Sequence, residues 1–345
     1  MSGYLAKMKE RQFEELIFFY DKSTGLKAAI AIHSTARGPA LGGTRMWTYA
    51  NEEEAIDDVM WLARGMSYKN AVAELPLGGG KGLIIGDPGK DKCEDLFYCY
   101  GRFVEKLNGR FITAADMGTN EQDLDCVSRE TKHVVGGSEV GSPSPFTAYG
   151  VWQGIKACAE EVYGSPNLNG KTVALQGIGS VGSALCQHLA DEGVNLLISD
   201  LDQDKVKKAV KLWNARAVSV DSIHAQKCDI FSPCGAGGAI NSKIIDQLQC
   251  SIVAGAANNI IKEDELGAVL NNNNILYAPD YVINAGGIIF CEMNRQGVRN
   301  GEEIKTVVSR IYDRLKGIFS RAREENLLPE QMADIVAEEK LQEKM

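Results

Sequence analysis

TVALQGIGSVGSALCQHLADEGVNLLISD (residues 172–200) decides the architecture of this chain. An apolar run, Thr172–Leu175, leads into Gly177-Ile178-Gly179-Ser180-Val181-Gly182, which opens a helical pattern, and a second apolar run ends at Asp200. Alone, G-x-G-x-x-G is weak, because most chance matches are turns. A strand before it, a helix after it and an acid 18 residues past Gly182 make it specific. Gly177 permits the tight turn, Gly179 lets backbone approach a pyrophosphate, and Gly182 allows close helix–strand packing. The helix N-terminus, with Ser180 and Val181, then faces the phosphates. Asp200 would accept hydrogen bonds from the adenosine ribose and repel a 2′-phosphate, and neighbouring Ser199 and Leu201 offer no arginine to reverse that choice. The stretch predicts a dinucleotide-binding unit that takes NAD rather than NADP. The competing reading of Asp200 is a solvated turn acid.

Downstream, CDIFSPC (228–234), SIVAGAAN (251–258) and ILYAPDYVINAGG (275–287) are further strand-like runs that end in small or turn residues. Regular strand–helix alternation argues for a parallel sheet with helices on both faces. From Glu302 onward the chain reads as helical and charged. Upstream, GSPSPFTAYG (141–150) carries two prolines and small polar residues and reads as a hinge or linker. Before it, KAAIAIHS (27–34) reads as a strand, followed by the Gly/Pro-rich segment RGPALGGTR (37–45). Asn51 ahead of three glutamates marks a helix start, and Ala55, Val59, Leu62, Ala63 and Met66 share one face. GLIIGDP (82–88) reads as a buried strand, Leu96 to Leu107 as a helix, and RFITAADMGT (110–119) as a strand running into a loop with Asp116.

A chain of 345 residues is long for one core and suits two domains. Lys+Arg of 37 against Asp+Glu of 46 gives a net charge of −9, which argues against non-specific binding to nucleic acid or anionic membrane. No apolar run approaches the ~20 residues of a membrane span, and the N-terminus has no signal-peptide pattern. The 9 cysteines are scattered without a C-x-x-C pair, and the 4 histidines are dispersed. Reduced thiols, a cytoplasmic location and no metal are the expectation.

GMSYKNAVAELPLGGGKG (65–82) holds Lys69 at the end of a helix and Lys81 after three glycines. A P-loop is rejected, because that motif needs Ser or Thr after its lysine and a helix beyond, whereas Gly82 and a strand follow. Two readings stay open on pattern alone. One is a structural turn with an exposed lysine. The other is an active-site lysine on a loop, where lost hydration lowers its proton affinity and makes it a general base. Lys69 alone reads as a favourable cation at a helix C-terminus, and Asp116 alone as a capping acid.

The chain resembles the amino-acid dehydrogenases related to glutamate dehydrogenase, in their leucine/phenylalanine/valine branch. The resemblance covers nearly the whole length. It rests on KAAIAIHSTARGPALGGTRMW, ARGMSYKNA, LPLGGGKGLIIGDP, LNGRFITAADMGT, PSPFTAYGV, QGIGSVG, VAGAANN and YAPDYVINAGG, in that order. It implies an α/β protein with two domains separated by a cleft. The first, an α/β substrate-binding and oligomerisation domain, spans 1–143, with the last helix (326–345) returning to it. The second, a Rossmann-type NAD-binding domain, spans 147–325. It further implies reversible oxidative deamination of an L-amino acid to a 2-oxo acid, ammonia and NADH, in a homo-oligomer, an octamer by resemblance.

Carried over by motif, Lys69 would pair with the substrate α-carboxylate, Lys81 would act as general acid/base, and Asp116 would handle the amino group. Gly42 would offer backbone to the substrate ammonium, and Asn259 would hold both substrate and cofactor. Asn284 would hold the nicotinamide ribose region and Thr147 the carboxamide, with Cys234 in the cofactor set. The side-chain pocket would be lined by Leu41, Ala114, Ile288 and Cys291, with Met66 nearby. All are apolar and none can hold a second carboxylate, so leucine, isoleucine and valine suit it better than glutamate. An aromatic preference (phenylalanine or tryptophan) is the alternative, and a non-catalytic NAD-binding homologue a third reading. Phe290, Ala115, Phe146, a shortened loop before Pro143, and Gly235 depart from the leucine-acting pattern.

Overall fold

The structure, a computed structural model, describes residues 3–263 and 265–343. Backbone contacts group Met1–Ser142 with Ala337–Met345 and set Pro143–Val336 apart as a second unit. In the first unit β1 (Glu15–Tyr20), β2 (Lys27–Ser34), β3 (Ala40–Trp47), β4 (Gly78–Ile85) and β5 (Phe111–Ala115) make one sheet in the order β1-β2-β4-β3-β5. β2 runs antiparallel to β1 and β4, and β3 runs parallel to β4 and β5.

Both faces of this sheet are covered, as the period-two alternation of strands requires. Ala29 and Ala31 of β2 and Leu83 of β4 pack on Ala55, Ile56, Val59, Met60 and Ala63 of helix Glu52–Val72. Ala28, Ile30, Ile32 and Ile84 point the other way, onto Leu96, Phe97, Tyr100 and Val104 of helix Glu94–Lys106. Asn51 starts the first of these helices as its cap, accepting from the Glu54 N–H at 2.9 Å.

One segment that carried no expectation is assigned here, and one expectation changes. The Gly/Pro-rich segment 37–45 is largely strand, since β3 begins at Ala40. The triple glycine with Lys81 is no loop but the first half of β4, an inner strand. The glycines answer to crowding from distant residues. A Cβ on Gly79 would lie 2.0 Å from the Ser67 N of helix Glu52–Val72, and one on Gly82 2.2 Å from the Tyr100 hydroxyl on the opposite face. Alternation then puts Lys81 on the same face as Gly79 and Leu83, the one covered by helix Glu52–Val72.

The second unit holds β6 (Thr172–Gln176), β7 (Asn195–Ser199), β8 (Arg216–Ala217), β9 (Ile230–Pro233), β10 (Ile252–Val253) and β11 (Leu276–Tyr277), ordered β11-β10-β9-β6-β7-β8. Every adjacent pair is parallel. The first strand of the unit is central and the next strands build outward on either side, the doubly wound order whose switch point lies between β6 and β9. The expected hinge at 141–150 is mostly helix: Ser144–Tyr163 begins directly after Pro143 and ends at Gly164 with φ 72°. Prolines at a helix start need no N–H partner, so Pro143 and Pro145 begin this helix rather than break the chain.

Gly79→Ala tests the close packing of helix on strand. Overpacking against backbone is expected to cost about 3 kcal/mol, read as a lowered melting temperature. An unchanged melting temperature would contradict the crowding argument.

Candidate active site

The face of β4 beneath helix Glu52–Val72 carries a buried ionic group. Lys81 is 5% exposed, and its Nζ lies 3.1 Å from Asp116 Oδ1. Asp116 follows β5, whose partner β3 supplies Arg45. Arg45 Nε donates to Asp116 Oδ2 at 3.0 Å, and its Nη1 donates to Asp58 Oδ2 at 2.9 Å. Asp58 comes from the helix and also accepts from the Tyr49 hydroxyl. The Asp116 backbone is held in turn: its N–H donates to Thr119 Oγ1 at 2.9 Å, and Thr119 Oγ1 donates to the Thr44 carbonyl at 2.8 Å.

Burial pushes the Lys81 ammonium below the usual lysine range, opposed by the adjacent Asp116 carboxylate and reinforced by Arg45. Burial works against ionisation of Asp116 too, but Lys81 and Arg45 outweigh it and hold its carboxyl below the ordinary value. The outcome is an ionised carboxylate beside an amine that releases its proton more readily than a surface lysine.

Lys69 sits in the last turn of the same helix, where Asn70 Nδ2 donates to the Gly78 carbonyl at 2.7 Å. The two lysines therefore sit on elements that touch directly. Gly42 is buried on β3, where a Cβ would fall 1.7 Å from the Gly80 carbonyl oxygen. Of the expected pocket residues in this unit, Ala114 is half-buried and Leu41 is fully enclosed, with no exposed surface.

In the second unit the fingerprint residues meet at the carboxyl ends of the strands. Gly177 has φ 99°, a left-handed backbone that favours glycine, and packs on Gly235 just past β9. Around Gly179 no heavy atom comes within 4 Å of a built Cβ, so the backbone is open to a ligand. At Gly182 a Cβ would lie 2.0 Å from the Gly177 carbonyl oxygen. Helix Ser180–Asp191 starts with no side-chain cap bond, leaving its first N–H groups available. Asp200 sits beside this turn, its Oδ2 accepting from the Ile178 N–H at 2.6 Å. Cys234 joins it, its N–H donating to the Gln176 carbonyl at 2.7 Å. These residues fit a dinucleotide, with the open cradle as the decisive observation.

Asn284 Nδ2 donates to Asn258 Oδ1 at 2.9 Å and reaches the Ala256 and Ala257 carbonyls, tying the β10 loop to the following helices. Asn259 on that loop is exposed, with φ 51°. Thr147 lies against Gly287, where a Cβ would come within 2.6 Å of its Oγ1. Ile288 and Cys291 are half-buried on helix Gly286–Arg295. Two departures noted in the sequence are one contact: Phe146 and Phe290 stack with ring centroids 4.7 Å apart. Gly235 has no close neighbour that a side chain would strike, the nearest atom being 3.7 Å away. Among the described residues no cluster of His, Cys, Asp and Glu could hold a metal ion, and no helix is long and apolar enough to cross a membrane.

Arg45, Asp58 and Tyr49 escaped the sequence reading. Arg45 stands inside a quoted block, yet nothing local marks it as the partner of a carboxylate 71 positions away.

Known proteins match this chain over most of its length. Residues 14–133 match the family model described as Glu/Leu/Phe/Val dehydrogenase, dimerisation domain, and residues 196–345 the one described as Glutamate/Leucine/Phenylalanine/Valine dehydrogenase. The chain is 48% identical over 339 residues to leucine dehydrogenase of Geobacillus stearothermophilus, covering 97% of this chain and 92% of that protein. It is 45% identical over 336 residues to L-tryptophan dehydrogenase of Nostoc punctiforme, covering 97% and 95%. The crystal structure of that tryptophan enzyme superposes with a TM-score of 0.88, covering 98% of each chain. A hetero-hexameric glutamate dehydrogenase from Thermus thermophilus shares the fold at 22% identity and a TM-score of 0.79, covering 99% and 95%.

The charge arrangement predicts an order of stabilities. Asp116→Asn strands the Lys81 ammonium without its carboxylate, a loss of about 3 kcal/mol for a broken buried pair. Lys81→Met leaves Asp116 still paired with Arg45 and costs less. Melting temperatures of the two variants check this, and the reverse order would contradict it.

Proposed function

The chain belongs to the glutamate/leucine/phenylalanine/valine dehydrogenase family, and within it we propose an NAD-dependent enzyme that deaminates leucine and other branched-chain L-amino acids. The family consists of amino-acid dehydrogenases that depend on a nicotinamide dinucleotide, and this chain is one of them. The observation that carries the proposal is the buried Lys81–Asp116 pair at 3.1 Å. It supplies a movable proton on an inner strand and a fixed negative charge on the loop that follows β5.

When bound, the dinucleotide supplies the acceptor for the hydride that leaves Cα. The remaining work falls to side chains. Lys69 holds the α-carboxylate as a fixed cation. Lys81, its ammonium destabilised by burial, takes the proton from the water that adds to the iminium carbon. It returns that proton to the nitrogen and, neutral again, takes the hydroxyl proton as the carbonyl forms and the C–N bond breaks to release ammonia, so one residue serves both steps. Asp116 stays ionised and exchanges protons with the substrate amino group. Asn259, Asn284, Thr147 and Cys234 join the glycine turn in holding the cofactor, and Asn259 also contacts the substrate. The Gly42 backbone meets the substrate ammonium.

The residues that the family pattern assigns to the substrate side chain, Leu41 and Ala114 in the first unit and Ile288 and Cys291 in the second, are all apolar, which supports a branched aliphatic side chain. The stacked Phe146–Phe290 pair commits Phe290, 5% exposed, to a partner of its own. That removes one reason to favour an aromatic substrate, and the higher identity to leucine dehydrogenase supports the same choice. Asp200 at the glycine turn supports NAD over NADP. Assembly into a homo-oligomer, an octamer by family likeness, and action in the cytoplasm complete the proposal. A monomeric mass by light scattering would contradict the assembly.

With NAD, leucine is expected to yield NADH faster than phenylalanine or tryptophan does, and NADP to be the poorer acceptor. An aromatic substrate ranked first would overturn the specificity. Lys81→Ala should lower kcat by about 10²–10⁴-fold while NAD binding by fluorescence persists. Near-normal turnover in that variant would sink the acid–base role.

A further inference from the structure

Arg45 is bonded to two carboxylates at once, Asp116 on one side and Asp58 on the other. A planar guanidinium fixes the direction of each bond, which a lysine cannot do. With Oδ2 of Asp116 taken by Arg45, Oδ1 is the oxygen that faces Lys81. Arg45 and Asp58 both line a groove of about 1360 Å³ that also touches Tyr49, Trp61 and Arg64, whereas Lys81 and Asp116 do not line it. The bridging pair thus has its own solvent-facing side, away from the reacting amine.

We propose that Arg45 and Asp58 are positioning residues of the dehydrogenase, acting through Asp116: Arg45 fixes which carboxylate oxygen faces Lys81, and Asp58 fixes Arg45. The inference rests on the reaction proposed above. The group is electrically balanced, with Lys81 and Arg45 against Asp116 and Asp58, and Tyr49 donates a neutral hydrogen bond to Asp58. Burial and the Asp58 carboxylate raise the Tyr49 phenol, so it stays protonated. The groups around Lys81 are Asp116 from the loop after β5, Arg45 from β3 and Asp58 from helix Glu52–Val72, which also bears Lys69; opposite it on β2 stands Ala31. Removing Arg45 takes away a positive neighbour of Lys81, which then holds its proton to higher pH. Removing the Asp58 charge does the reverse.

The test is the acid limb of the pH profile of kcat/KM for leucine deamination, where Lys81 must be neutral. Arg45→Gln should move this limb to higher pH by about one unit, and Asp58→Asn should move it to lower pH. Arg45→Lys keeps the charge but cannot bridge both acids. It should leave the limb in place while kcat falls by about tenfold or more. Loosened structure alone would not send the first two variants in opposite directions. Shifts of the same sign, or none in folded and active variants, would overturn the proposal. The same opposed order should appear without substrate in the Lys81 Cε resonance of isotope-labelled protein titrated with pH. A wild-type enzyme that turns over no amino acid would therefore defeat the proposed reaction while this second readout still decides the role of Arg45 and Asp58.

Discussion

An ammonium that is 5% exposed, 3.1 Å from a carboxylate, is the contact around which the first unit is built. Taking such a charge out of water costs several kcal/mol unless it is paired and hydrogen-bonded. The unit meets that demand with a chain of alternating charges running from Lys81 through Asp116 and Arg45 to Asp58. The chain draws on β4, the loop after β5, β3 and helix Glu52–Val72. Each element must be in register for the next partner to be in reach. Gly79 of β4 serves the same end, because it lets the helix lie close on the strand over the face that carries Lys81.

The second unit solves a different problem. Its parallel strands leave their carboxyl ends free, and the glycine turn after β6 places an uncapped helix start beside an open patch of backbone. Such an arrangement suits an anion with little help from side chains, because the uncapped N–H groups face it. Asp200 braces this turn through both oxygens, Oδ2 accepting from the Ile178 N–H and Oδ1 from the Asp202 N–H at 2.9 Å. In the first unit the electrostatics come from side chains, and in the second from backbone.

The second unit was largely legible in the sequence, because its signals are local. Gly177, Gly179 and Gly182 lie within one turn, and the strand and helix on either side announce themselves by apolar spacing. The first unit was less so. Gly78–Gly80 looked like a loop, since the reason for glycine lies in Ser34, Ser67 and Phe111, residues outside the local stretch. Lys81 and Asp116 could be named only through family resemblance, and Arg45, Asp58 and Tyr49 could not be named at all. Charges that meet across a sheet leave no spacing to read. The segment 141–150 misled for the opposite reason: its prolines are a real local signal, but one shared by helix starts and linkers.

The account stands on Lys81 being a buried amine with reduced proton affinity, ionically tied to Asp116. The most direct measurement is the pH titration of its Cε resonance in isotope-labelled wild-type protein, assigned by comparison with Lys81→Arg. One lysine titrating well below the exposed ones, and rising when the counter-charge of Arg45 is removed, is the result the account predicts. A Lys81 that titrates together with the surface lysines would contradict it, and with it the acid–base role built on that residue.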